Sequence, residues 1–341
     1  MTLLSALTGD PEIAALLSDA AQVQAMLSFE QALAEAEALA GLIGEDDAKA
    51  IGAAIAGFEP DWTSLEAGMA QDGVVIPALV KQLRAQLPEA HRMALHKGAT
   101  SQDAIDTALI LQLAKIIPIY EARLVALQRK LEALGKEFGD KPLMAHTRMQ
   151  AALPFSVAEK LRTWGEPLGR HLTALAASRR ALLVIQLGGP IGDRSSFGDK
   201  GDLVARYLAE RLDLGLAPAW HGSRDPVVAF GSLLSLISGS LGKIGADIGL
   251  MAQNEVGAIR LAGGGASSAM AHKSNPVRAE VLVSVARYNA GLAGTLHQAL
   301  VHENERSGAA WTLEWLVLPQ MLEATGASLK LASELLDQVS F

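Results

Sequence analysis

Between residues 230 and 251 the apolar positions Phe230, Leu234, Ile237, Leu241, Ile244, Ile248 and Met251 fall at alternating steps of four and three. This heptad seam constrains the chain more than any other feature, because a helix so patterned must lay its stripe against other helices. Gly231, Ser238 and Gly245 recur every seventh residue beside it, and Gly242 and Gly249 add to the set. Each glycine costs up to about 1 kcal/mol of helix propensity relative to alanine. Keeping so many predicts close helix–helix approach.

The same period runs through the rest of the chain. Residues 19–40 predict a helix ended by Gly41 and Gly44, with Ala, Leu and Met on one side and Gln24, Glu30, Glu35 and Glu37 on the other. A second helical pattern runs from about 74 to 87 and stops before Pro88. From Asp103 to about Leu134, apolar residues from Ile105 to Leu131 again step by three or four, and Pro118 within that run is expected to kink or split the helix. Further helices fit Val277 to Leu300 and about 311 to 337. No alternation of strands and helices is present; turn signals at Gly188-Gly189-Pro190 and Gly192-Asp193 suggest one small hairpin near 186–197. The fold class is therefore all-α, a bundle of long helices. Its 341 residues divide, in this reading, into an N-terminal helical domain over 1–104 and a central long-helix bundle over 105–341.

Composition narrows the function classes. Half the residues are hydrophobic and the mean hydropathy is +0.23, as expected if long helices are buried between subunits. The longest uncharged run, Pro226 to Gly242, is broken by serines and glycines and followed by Lys243 and Asp247, so no membrane span is expected. The opening MTLLSALTGDPEIAALL lacks the basic start of a secretory signal. Absence of cysteine excludes disulfides and thiol catalysis, which makes the cytoplasm the expected compartment. A net charge of −8 argues against nucleic acid as a partner. There is no HExxH pair, P-loop, GxGxxG fingerprint or GxSxG elbow, so neither metal nor cofactor is expected and a Ser-His-Asp hydrolase is disfavoured.

Polar blocks interrupt the helices. The first is His96-Lys97-Gly98-Ala99-Thr100-Ser101-Gln102-Asp103. Helix capping by Thr100 or Ser101, with Asp103 in the first turn, explains part of it. A helix start flanked by His, Lys and two hydroxyls is also a ready anion site. The second block is Met144 to Gln150, which as a bland turn needs no function. The third is GGGASSAMAHKSNPVRAE from Gly263, where a plain flexible linker competes with a loop hinged on glycines and anchored by Asn275 as helix cap and Pro276 as first helical residue. A fourth, His302-Glu303-Asn304-Glu305-Arg306, precedes Trp311 and Trp315, which share a helix face.

Together these blocks resemble the fumarase/aspartase superfamily. GATSQDAIDTAL resembles its first block, HTRMQAALP its second and ASSAMAHKSNP its third, in the right order and separated by long helices. The likeness covers about residues 70–320. GVVIPALVKQL before the first block and HENERSGAAWTLEWLVLP after the third resemble the cycloisomerase branch. Arg148 replaces the usual second-block histidine, which weakens a lyase assignment needing that histidine; Ala266 and Ala271 replace the usual Gly and Pro of the loop. The resemblance implies a homotetramer with a central helical core and sites shared between copies, and a chain without the small C-terminal domain of longer relatives.

It also implies chemistry: closure of 3-carboxymuconate, a small tricarboxylate, to a lactone in protocatechuate catabolism. One carboxylate adds across a double bond through a doubly charged aci-carboxylate. By family position, Ser267 handles the proton on carbon, while Lys273 and Asn275 stabilise the developing charge. His96 is a candidate for orientation or acid–base work. Thr100, Ser101, Thr147 and Gln150 hold carboxylates, and Arg148, Arg278 and Arg306 balance their charge. A fumarate-releasing lyase and a catalytically silent structural protein on the same fold remain the alternatives.

Overall fold

The computed structural model describes residues 3–266, 268–270 and 274–341. Ser267, His272 and Lys273 lie outside the described residues. Two short helices, α1 (Ser5–Thr8) and α2 (Pro11–Leu16), lead into α3 (Asp19–Leu39), α4 (Glu45–Ala56), α5 (Trp62–Asp72) and α6 (Ile76–Gln86). The bundle is made by α7 (Ser101–Phe138), α8 (Val157–Leu182), α10 (Asp225–Met251), α11 (Val277–Gln298) and α12 (Ala309–Leu336), while α9 (Gly201–Leu212) packs on α3.

All seven seam residues of α10 are buried, against α8, α11 and α12. The small residues beside the seam do what their spacing predicts. A Cβ at Gly242 would lie 2.5 Å from Ala286 Cβ, one at Gly245 would lie 2.7 Å from the Ala279 carbonyl oxygen, and one at Gly231 would collide with Leu296. Gly249 meets nothing. By length and composition α10 is apolar enough to cross a membrane, but its apolar stripe is the inside of the bundle.

Pro118 stays inside α7, which is not split. Its neighbours Ile116, Ile117 and Tyr120 are fully buried, and the Tyr120 hydroxyl donates to the Leu322 carbonyl at 2.6 Å. Tertiary packing on this scale outweighs the roughly 3 kcal/mol that an interior proline costs a helix. Two apolar cores meet along α7. One gathers α3 to α6, α7 as far as Ala108, the segment from Ile185 to Ala209 and Trp311. The other begins at Ile110 and includes α8, α10, α11 and α12. The expected division after residue 104 falls in the first turn of α7, which runs through it unbroken.

The hairpin expected near 186–197 does not form. The Gly188 and Gly189 N–H groups donate instead to the Asp103 carboxylate, at 2.8 and 2.9 Å, so no partner strand receives them. A hairpin occurs elsewhere: β1 (Pro142–Thr147) pairs with β2 (Gln150–Ser156), Thr147 facing Gln150 across the two-residue turn Arg148-Met149. Two-residue pairs β3 (Arg260–Leu261) with β6 (Val339–Ser340), and β4 (Gly265–Ala266) with β5 (Ser274–Asn275), complete the strands among the described residues.

Candidate active site

The first block sits where α7 begins. His96 (φ 56°) and Gly98 (φ 72°) both take left-handed backbone, and a side chain on Gly98 would strike the Phe197 ring at 2.7 Å. Thr100 is the N-cap as expected, its N–H donating to Asp103 at 3.0 Å. Asp103 does far more than cap. Fully buried, it accepts from both glycines, from Gln186 Nε2 at 3.2 Å and from His221 Nε2 at 2.9 Å. These bonds lock the 186–189 segment and His221 to the start of the helix, whose N-terminal dipole favours the charge.

One turn on, Asp106 accepts both guanidinium arms of Arg224, at 2.7 and 3.0 Å. The same Arg224 donates to Glu314 and lies 4.6 Å over the Trp220 ring. Trp311 Nε1 donates to Asp106 at 3.0 Å and Gln102 Nε2 at 3.1 Å. All three charged residues are buried. This triad ties the starts of α7, α10 and α12 together. It brings the fourth block to the first: Arg306 Nη1 donates to Thr100 Oγ1 at 2.6 Å. His302 lies beside Arg224 and Asp106 with both ring nitrogens buried and unpaired; burial, reinforced by Arg224, lowers its pKa against the pull of Asp106 and Glu303.

Arg306 and Thr100 thus meet, with Ser101 next in the chain and His96 four residues before Thr100. Thr147, Arg148 and Gln150 do not join them within one protomer. They form the tip of the hairpin, exposed on both faces, and α7 separates the two blocks by its 38 residues, roughly 57 Å at 1.5 Å per residue. Arg148 (φ 48°) and Met149 (φ 65°) both adopt left-handed backbone, which in two-residue hairpins is usually given to Asn-Gly. Asn275 lies in β5 and caps nothing: Pro276 is the N-cap of α11, without a side-chain cap bond, so the expected roles of both residues are corrected. Pairing of Asn275 with Gly265 holds its backbone in a strand rather than at the helix start. Arg278 is paired to Glu334 at 2.9 Å. The hairpin and the end of α10 enclose a cavity of ≈ 430 Å³ lined by His146, Arg148, Lys160 and Asp247 among others.

Two carboxylates lie elsewhere than expected. Glu30 and Glu37, expected on the polar side of their helix, are both buried. Val23, Leu27, Glu30, Ala34 and Glu37 step by four and three, so the spacing carried the signal while the residue type hid it. Glu30 Oε1 accepts from His96 Nδ1 at 2.6 Å. Neither Glu37 oxygen has a partner. Burial pushes the Glu37 pKa up to about 8; Lys97 pulls it partly back and Glu30 adds to the rise. His221, Arg224 and Gln186 carry no signal in the sequence, since each stands alone and meets its partners only through the fold; Glu314 lies in the stretch with Trp311 and Trp315.

Glu37 makes stability depend on pH. Folded, it holds its proton up to about pH 8; unfolded, it releases it near the ordinary value of 4.5. Its contribution is whole below 4.5 and is lost as pH rises through 8. Replacing Glu37 with leucine is expected to remove that slope. From pH 5 to pH 9 the variant should gain about 2–4 kcal/mol on the parent in urea unfolding. Parallel stability–pH curves for the two proteins would show that Glu37 is not titrating in the fold.

A family model described as Lyase matches residues 9–291. The chain belongs to this fumarase/aspartase-type lyase family. Among members of the lyase family, 3-carboxy-cis,cis-muconate cycloisomerase of Pseudomonas aeruginosa is 39% identical over 331 residues, covering 95% of this chain and 72% of that one. The crystal structure of the 3-carboxy-cis,cis-muconate lactonizing enzyme from Pseudomonas putida matches with a TM-score of 0.93 and 37% identity, over 99% of this chain and 77% of that one. That of a fumarate lyase from Mesorhizobium sp. BNC1 matches with a TM-score of 0.91 and 32% identity, over 98% and 76%.

Proposed function

We propose that this lyase-family member is a cycloisomerase that closes 3-carboxy-cis,cis-muconate to a carboxymuconolactone. The reading is carried by likeness to a cycloisomerase and a lactonizing enzyme at 39% and 37% identity over 95% or more of the chain. Its reaction adds a substrate carboxylate across the neighbouring double bond and protonates the carbon beside another carboxylate. In this proposal Ser267 delivers that proton, while Lys273 and Asn275 stabilise the aci-carboxylate; such a donor is worth roughly 10²–10³ in rate. Thr100, Ser101, Thr147 and Gln150 hold carboxylates. Arg306 and Arg148 have no carboxylate partner among the described residues, whereas Arg278 is already balanced by Glu334. Of the three arginines, the first two are therefore the ones left for a tricarboxylate.

Thr100 and Thr147 belong to one site only if different copies supply them, so the proposal includes a homotetramer with shared sites. Exposed Met144, Met149 and Leu153 on the hairpin favour its being covered in an assembly. Likeness to a fumarate lyase keeps fumarate release as the second reading. Ultraviolet absorbance separates the two. Loss of the muconate diene supports cycloisomerisation; fumarate formed from adenylosuccinate or argininosuccinate supports the lyase. Ser267→Ala is expected to lower turnover by roughly two orders of magnitude without changing the oligomer. Near-parental turnover would take Ser267 out of the mechanism.

A further inference from the structure

We propose that Glu30 is a positioning residue for this site, clamping His96 through Nδ1 so that the opposite ring edge is offered to a substrate carboxylate. The inference rests on the functional reading above, which places His96 in the site. Three observations carry it. Glu30 is buried in α3 and its Oε1 accepts from His96 Nδ1 at 2.6 Å. The backbone at His96 is left-handed, a conformation that non-glycine residues adopt at a cost and that the flanking packing of Gly98 on Phe197 maintains. Finally, among the described residues Nε2 makes no hydrogen bond, and it is not among the buried unpaired atoms, so the part of this side chain that remains exposed includes this edge of the ring.

A ring whose Nδ1–H is held by a carboxylate can donate from Nε2 only when doubly protonated. Burial opposes that charge, but the charge of Glu30 and its hydrogen bond, with Asp103 behind them, outweigh it and raise the His96 pKa; Arg84 acts the other way. The charged groups facing this pair are Glu37 from α3, Arg84 from α6, Lys97 beside His96 and Asp103 from α7. Glu30 thereby favours the cationic form of a ring four residues before Thr100, where a multiply charged anion would be met by the α7 N-terminus.

Glu30→Gln tests this, since it retains an acceptor for Nδ1 and removes the charge. Turnover of 3-carboxymuconate, as kcat/KM, is expected to fall about tenfold at pH 8, chiefly through KM, and by less at pH 6, where protonation of the ring leans less on the charge of Glu30. Repeating the profile in a Glu37→Leu background removes the second titration near pH 8. Should Glu30→Gln fold poorly, His96→Gln, which cannot carry the charge at any pH, is expected to lose at least tenfold in kcat/KM at both pH 6 and pH 8, again chiefly through KM, and a loss under about twofold in it overturns the proposal. In Glu30→Gln, a loss equal at both pH values, or none at pH 8, overturns the proposal. Carbethoxylation of His96, read by peptide mapping, needs a neutral ring and no substrate. It should be faster in Glu30→Gln at pH 7, and an unchanged rate overturns the proposal whatever the turnover. A parent that consumes no muconate while the carbethoxylation rates differ points instead to failure of the functional reading.

Discussion

Replacing Arg224 with methionine is expected to destabilise the protein by about 3–5 kcal/mol, the cost of removing one partner from a buried ion cluster. Methionine keeps most of the volume, so the loss reports charge rather than a cavity. Asp106 and Glu314 would then face one another in a dry interior, with the Trp311 indole and Gln102 amide as the remaining donors to Asp106. One carboxylate would have to take up a proton. The loss should therefore shrink between pH 7 and pH 5, where protonation becomes easier. Arg224→Lys keeps the charge but not the two-armed geometry, and an intermediate loss is expected. Replacing all three members with apolar residues should recover much of the stability. Urea unfolding at both pH values measures these differences; a shift below about 1 kcal/mol for Arg224→Met would show that the triad does not hold the three helix starts together.

Mixing two inactive variants is expected to create an active enzyme. One variant carries Thr100→Val and Arg306→Ala at the start of α7; the other carries Arg148→Ala and Asn275→Ala at the opposite end of the bundle. Within one chain these sets are kept apart by a helix of 38 residues. A single substrate reaches both only where copies pack with opposite ends together. Co-refolded or co-expressed, the two variants build some sites that take an intact first block from one chain and an intact hairpin from another. Activity should appear where neither parent shows any. If the mixture stays as inactive as its components, each site lies within one copy and the shared-site proposal fails.

Much of the architecture was legible beforehand because it rests on period. The seam from Phe230 to Met251, the close approach at Gly242 and Gly245, and the helices on either side of each polar block follow from spacing that survives in any all-helical packing. The motif blocks were legible because their residue types cluster in sequence, and the likeness to known cycloisomerases agrees with them. Errors arose where partners distant in the chain decide local structure. Gly188 and Gly189 read as a hairpin turn, yet an aspartate on another element takes their N–H groups. Glu30 and Glu37 read as a solvated face, yet one serves a histidine 66 residues away and the other stays buried and protonated at neutral pH.

What the sequence determined by itself is the class of fold and the family, since apolar period and clustered polar blocks are local properties of the chain. What only the tertiary structure decided is which blocks share a space. Arg306 meets Thr100 because α10 and α11 carry the chain out and back to the start of α7. Thr147 is left at the far end because α7 is a rigid rod whose length is fixed by its hydrogen bonding. No pattern within a single segment encodes either distance.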